Sequence, residues 1–258
     1  MNLDHLGALT RRSIVNTFRQ PATVAPSIVF PLIFLSMSAG ALGKATDIPG
    51  FPPVDSFLQF GITATIVQGI LFGAVAAGTD MAKDIEGGFF ERLVASPVSR
   101  TAIVVGRIGG AATLGFVQAL VFLTLGLLVG VDIEGGLVSM VMIAVAASIL
   151  AAGVGSVTVS MGLRTGSSEA VQGSFPLIFV FLFFSSAFFP RQLMSGWFEN
   201  VATLNPLSHL VEGLRHQVIA ALSVSEWVSS VAIALGIFAF GVALALRALD
   251  RRLTATHG

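Results

Sequence analysis

The chain has no cysteine, which removes disulfides, zinc–cysteine sites and thiol nucleophiles and leaves the redox compartment open. Charge is scarce as well. Only 11% of the 258 residues are Asp, Glu, Lys or Arg, against about 25% in soluble domains. The 14 basic and 14 acidic residues cancel to a formal net charge of +0, so no basic field marks a nucleic-acid binder. What fills the chain instead is apolar: 54% of residues are hydrophobic. A soluble domain of this length would lack the polar residues to cover its surface, so lipid is the solvent for most of it.

A bilayer core about 30 Å thick requires roughly 20 apolar residues as a helix. Charge-free windows of that length run Gln20–Gly43, Ser56–Thr79, Ile108–Val131, Gly135–Leu163, Ala170–Pro190 and Trp227–Leu246. Backbone amides in lipid must be paired within their own segment, so six helical spans follow. The alternating strands of about ten residues that a β-barrel needs are missing. The fold class is therefore an all-α membrane protein, read as one domain over residues 1–258.

An even number of spans puts both termini on one side. On the opposite side lie only Lys44, Arg191 and Arg215 of the 14 Lys and Arg residues, so the excess of positive charge predicts cytoplasmic termini. Ala39-Gly40-Ala41 looks like a signal-peptidase site, but the apolar run before it is long enough to span and its polar leader is too long. Residues 1–20 carry Leu3, Leu6, Thr10, Ile14 and Phe18 at helical spacing with Arg11, Arg12, Asn16 and Arg19 largely on other faces. That pattern suits a helix lying in the interface, or alternatively a charged tail. Gly69/Gly73, Gly106/Gly110 and Gly126/Gly130 are small-xxx-small pairs compatible with a packed bundle.

No catalytic constellation emerges. H-E-x-x-H and G-x-S-x-G do not occur, and Gly43-Lys44 fails the phosphate-loop pattern because Ser38 stands where its first glycine belongs. His209, Glu212 and His216 share a helical face at i, i+3 and i+7, the donor set of a two-histidine-one-carboxylate site. The same spacing describes the wet face of a short helix beside Arg215, and no metal is expected. Carriers coupled to protons or sodium usually hold ionisable groups inside their spans. Here Asp80, Arg107, Arg164 and Glu169 stand at window edges and every window centre is free of charge. The energy for any pumping then enters from outside the spans.

Two connecting segments are too rich for ordinary loops. Residues 80–103 mix both charge signs with Phe89, Phe90, Leu93 and Val94 at helical spacing, an amphipathic piece fit for the groove of a soluble partner or for the headgroup region. Residues 190–222 are half apolar and broken at Asn205-Pro206. Proline loses a helix bond, so two short helices meet at Pro206. A hairpin of this kind suits a re-entrant cap between the fifth and sixth spans, or an amphipathic loop on the outer leaflet.

Together these segments resemble the permease subunits of type-2 ATP-binding-cassette exporters, including drug-resistance and lipo-oligosaccharide export permeases. The Glu91-Arg92-Leu93…Pro97-Val98-Ser99-Arg100 run resembles their cytoplasmic coupling segment, and Phe189-Pro190…Asn205-Pro206-Leu207-Ser208…Glu212-Gly213-Leu214-Arg215 their extracytoplasmic signature; Arg19-Gln20-Pro21 followed by Pro31 fits too. The resemblance covers nearly the whole chain. It implies a half-transporter in the bacterial plasma membrane: two permeases, identical or different, above two copies of a separate ATPase subunit. ATP and Mg would bind that partner, with no cofactor in this chain. Phe89, Phe90, Glu91, Arg92, Leu93, Pro97 and Arg100 would couple to the ATPase, and Pro190, Asn205, Pro206, Glu212 and Arg215 would form the outer gate.

Composition bears on cargo. The chain has no tyrosine and two tryptophans, Trp197 and Trp227, but 21 phenylalanines, with Phe179, Phe181, Phe183, Phe184, Phe188 and Phe189 clustered in the fifth span. Polar-edged aromatic platforms for a polysaccharide are nearly absent, so a drug-like or lipid-like cargo is expected ahead of a polysaccharide. Alternatively, these phenylalanines simply pack between helices or face lipid. An autonomous carrier or channel is the rival from another class, told apart by transport without nucleotide.

Overall fold

The computed structural model describes residues 3–255, with Leu3, Arg100 and Ala255 described in backbone only. Eleven α-helices follow one another and no strand occurs among the described residues: α1 (Leu3–Phe18), α2 (Pro21–Leu42), α3 (Phe57–Glu86), α4 (Phe89–Val94), α5 (Arg100–Leu128), α6 (Gly136–Thr165), α7 (Ser168–Gly173), α8 (Phe175–Phe183), α9 (Gly196–Leu204), α10 (Pro206–Ile219) and α11 (Val224–Ala255). Local chemistry sets many of the ends. Ser56, Ser99 and Ser167 each accept a hydrogen bond from a backbone N–H of the first turn that follows, the usual serine N-cap. Gly166 ends α6 in the left-handed region at φ +60°, where a Cβ is disfavoured.

Five helices, α2, α3, α5, α6 and α11, are long and apolar enough to cross a membrane. The fifth predicted window departs from a single span. Its residues form α7 and α8, a bend at Gly173-Ser174, and an irregular stretch from Phe184 to Pro190. Pro176 explains the bend: its ring removes a helix donor, so α8 starts afresh there with proline in its first turn.

α3 and α6 form the centre and α2 and α11 the periphery, since 89% and 61% of the first pair's spans are buried against 17% and 22% of the second's. Close backbone approach holds the centre. A side chain at Gly78 would strike the Thr158 carbonyl, and one at Gly162 the Gly78 carbonyl. Thr158 Oγ1 donates across this contact to the Ala74 carbonyl at 2.7 Å. Small residues and interhelical hydrogen bonds are what remain to drive packing where lipid is as apolar as leucine.

The N-terminal segment is a helix. The face it turns to α5 runs through Leu9, Thr10, Ser13 and Thr17, over Gly106, Gly109 and Gly110. Phe18, assigned to the apolar face by its spacing, is 42% exposed. A groove of three glycines selects small residues over bulky ones, so the docking stripe differs from the most hydrophobic one.

Candidate coupling and gate sites

At one end of the bundle α3 stops at Gly87-Gly88, with Gly88 at φ +65°. That left-handed residue turns the chain into the six-residue α4. Glu91, Arg92 and Pro97 are exposed and Leu93 is half-buried. Phe90 differs from expectation: it is 4% exposed and packs within the chain's own core with Ile85, Ile103, Leu249 and Leu253. A helix this short has little stability of its own, and an inward aromatic fixes it to the bundle. Phe89 is half-buried beneath the Arg12 guanidinium, 3.9 Å from its ring centroid. The Arg100 side chain lies outside the described residues.

Beneath α4 lies a charge network that joins three helices. Arg12 of α1 forks onto Asp84 of α3 at 2.9 and 3.1 Å. Arg107 of α5 pairs with the same Asp84 and stands 3.8 Å from Asp80. Asn16 and Gln20 donate to Asp80, and Ser13 Oγ donates to the Arg107 carbonyl at 2.7 Å. Partial burial pulls the Arg12 guanidinium below its ordinary pKa, opposed by the Asp80 charge. Two carboxylates thus face two guanidiniums, a neutral set in which removing one member strands another. Sequence reading placed Asp80 and Arg107 at window edges and gave them no role. The available signal was spacing: Arg12, Asn16 and Gln20 recur every fourth residue, as do Asp80 and Asp84, so two complementary polar stripes face each other.

At the other end, Phe184–Pro190 leaves the helix while still within the bundle, and its carbonyls need donors. The expected gate residues supply them. Asn205 Nδ2 donates to the Phe181 and Phe184 carbonyls at 2.6 and 2.8 Å, while its Oδ1 accepts from Leu207 N–H and caps α10. Arg215, 3% exposed, donates to the Ser186 and Ala187 carbonyls at 3.1 and 2.8 Å and to the Phe60 carbonyl at 3.1 Å. Its guanidinium also lies 3.7 Å from the Phe60 ring centroid. One side chain therefore fastens α10, α3 and the irregular stretch together. Glu212 pairs with Arg191, Pro190 is buried, and Pro206 opens α10.

His209 Nε2 lies 2.8 Å from the Thr203 carbonyl, and Glu212 is engaged by Arg191. Among the described residues no three His, Asp or Glu side chains come together around a metal position.

The clustered phenylalanines differ in their surroundings. Phe181 and Phe189 are exposed at 62% and 52%. Phe184 packs on Trp197 and Phe198. Phe179, Phe188 and the half-exposed Phe183 join Phe175, Phe72 and Phe34 in a continuous chain of ring contacts. Above it, at the hairpin end, is a cavity of about 330 Å³ lined by Phe34, Phe57, Phe60, Phe183, Phe188 and other apolar residues.

Residues 4–219 match the profile of the ABC-2 type transporter family. The chain is 29% identical over 218 residues to a Porphyra purpurea protein named as a transport permease, ycf38, covering 83% of this chain and 74% of that one. It is 27% identical over 196 residues to the daunorubicin resistance ABC transporter permease protein DrrB1 of Streptomyces coeruleorubidus, covering 76% and 68%. Over 206 residues it is 24% identical to a Mycobacterium tuberculosis protein named for doxorubicin resistance, the ABC transporter permease DrrC, covering 80% and 74%. The matched span starts in α1 and ends with α10, taking in α4, the charge network beneath it and the Arg215 clamp; this chain belongs to the ABC-2 type transporter family.

Proposed function

We propose that the chain is the permease subunit of an ABC exporter, driven by a separate ATPase whose two copies bind ATP and Mg. The observation that carries this reading is the mounting of α4. Glu91 and Arg92 are exposed on a short helix, and Pro97 in the turn after it, on a segment that Phe90 anchors from below and Arg12 covers from the side. Force applied to that exposed face would pass through Asp84 and Arg107 into α3 and α5, because the network ties them. An isolated loop on a membrane surface needs no such mount.

The remaining parts fit the same reading. The chain would sit in a bacterial plasma membrane, and the charge bias supports α1, α4 and the termini on its cytoplasmic side with the α9–α10 hairpin outside as a re-entrant gate. The apolar faces of α2 and α8, with Ile33, Met37, Leu177 and Phe181 exposed, would meet lipid or a second permease. Relatives named for daunorubicin and doxorubicin resistance support an apolar or amphipathic cargo.

A chain without cysteine allows a direct test. Arg92→Cys, coupled to a thiol-reactive photo-crosslinker in native membranes, is expected to give one nucleotide-binding adduct, while Met37→Cys gives none. Crosslinks from Arg92→Cys to lipid alone would contradict the docking role.

A further inference from the structure

A second cavity of about 330 Å³ opens at the α4 end, between α2, α3 and the α7–α8 bend. Its lining is two-sided. Pro26, Phe72, Val75 and Phe175 form an apolar wall, while Gln20, Thr23, Thr79, Lys83 and Gln172 form a polar one. The polar groups differ in what they already hold. The Gln20 amide donates to Asp80 and the Gln172 amide to the Ser168 carbonyl. Lys83 is exposed and forms no ion pair among the described residues. Thr79 Oγ1 is buried with no hydrogen-bond partner.

The carboxylates close to Lys83 in sequence are engaged elsewhere: Asp80 and Asp84 by the network, and Glu86 by Ser168 at the start of α7. The wall therefore offers uncommitted donors, one of them cationic, and no acidic residue lines it. The chemistry that satisfies it is an anionic acceptor, because charge-assisted hydrogen bonds are the strong ones.

The apolar wall continues away from Lys83. Phe72 lies 4.5 Å from Phe175 and 5.5 Å from Phe179 by ring centroid, and steps of 5.1, 5.5 and 5.1 Å lead on through Phe183 and Phe188 to Phe34. Phe34, Phe183 and Phe188 also line the cavity at the hairpin end. An unbranched apolar chain would find rings along this whole track.

We propose that the α4-end cavity receives the anionic head of a single-chain amphiphile, with a carboxylate or phosphate at Lys83 and Thr79 and the tail along the phenylalanine track from Phe72. As a statement about cargo it rests on the exporter reading above; as a binding site it stands on this chain alone. Both head groups present the same anionic oxygens, and the test separates them.

The full chain in phosphatidylcholine nanodiscs is photolabelled, under alkaline conditions, with a palmitic acid analogue bearing a mid-chain diazirine. Saturable adducts are expected on Phe72, Phe175 or Phe179. The methyl ester of the same probe is expected to label about tenfold less, the scale of one lost charged contact. Lys83→Gln should bring labelling by the acid down to the ester's level, and Lys83→Arg should restore it. Competition by dodecyl phosphate but not by inorganic phosphate would extend the site to phosphate heads. Competition by neither leaves a carboxylate-headed amphiphile as the ligand. Equal labelling by acid and ester, indifference to Lys83→Gln, or competition by inorganic phosphate alone would overturn the proposal. The assay uses neither nucleotide nor ATPase, so its failure leaves the exporter reading standing, and a missing ATPase partner leaves the site standing.

Discussion

Arg215 shows how one residue converts an unstable backbone into a usable one. The stretch from Phe184 to Pro190 exposes carbonyls that no helix pairs; from a fully enclosed position Arg215 answers those of Ser186 and Ala187 and ties them to the Phe60 carbonyl of α3. Replacing it with alanine strands the Ser186 and Ala187 carbonyls, at a cost of about 1–3 kcal/mol each for a buried group left without its partner. We expect Arg215→Ala to lower the unfolding temperature in detergent sharply. Arg215→Lys should recover only part of the loss, since an ammonium cannot reproduce the guanidinium fork. A melting temperature equal to the wild type's would contradict the clamp. The assignment of Arg215 and Asn205 to a gate comes from the resemblance to exporter permeases, while the polar, proline-broken composition of the hairpin gives only two short helices. Neither reveals that their partners are main-chain carbonyls more than 20 residues away. The inward turn of Phe90 is hidden for a related reason: Phe89 and Phe90 are adjacent aromatics, and composition cannot say which of the two packs into the core.

At the scale of elements, α1 is held on α5 by shape. A side chain at Gly110 would meet Ser13 Oγ, Thr17 Oγ1 and the Ser13 carbonyl. Gly110→Leu is therefore expected to lift α1 and break the Arg12–Asp84 fork, seen as faster amide hydrogen exchange across Leu3–Phe18 with the remaining helices protected. Unchanged protection of α1 would refute that packing argument. The long helices were legible from windows of about 20 uncharged residues because lipid imposes that length. The fifth was not. Its window is free of charge throughout, and a lack of charge reports burial in lipid or protein without reporting whether the backbone continues; Pro176 and the Gly173-Ser174 bend decide that locally. The network of α1, α3 and α5 escaped for another reason. Charges at window edges are ordinarily interfacial, and only three-dimensional juxtaposition turns Asp80 and Asp84 into partners of Arg107 and Arg12.

For the whole molecule, the charge bias predicts an orientation that labelling can check. In intact cells a membrane-impermeant maleimide is expected to modify Ala221→Cys, between α10 and α11. Ala95→Cys, beside α4, should react only after permeabilisation; both positions are exposed. The reverse pattern would place α4 outside the cell and end its proposed role. In that orientation the molecule would have a buried centre in α3 and α6, more exposed outer helices, and α4 tied to the centre through charges on the cytoplasmic side. Membership of the ABC-2 type transporter family is compatible with such a tie under the proposed coupling role of α4, and the sequence carries no phosphate-loop motif of its own.

The most direct measurement is affinity purification of the chain in mild detergent, with mass spectrometry of what co-elutes and an ATP hydrolysis assay on the product. The account predicts a stoichiometric ATPase subunit and measurable hydrolysis. It also predicts that Glu91→Ala and Arg92→Ala leave the permease folded and inserted but lower cargo transport per ATP by about tenfold, equivalent to about 1.4 kcal/mol of lost coupling. A permease that elutes alone, without hydrolysis, or variants that transport like wild type, would contradict the claim that α4 receives the work of a separate ATPase.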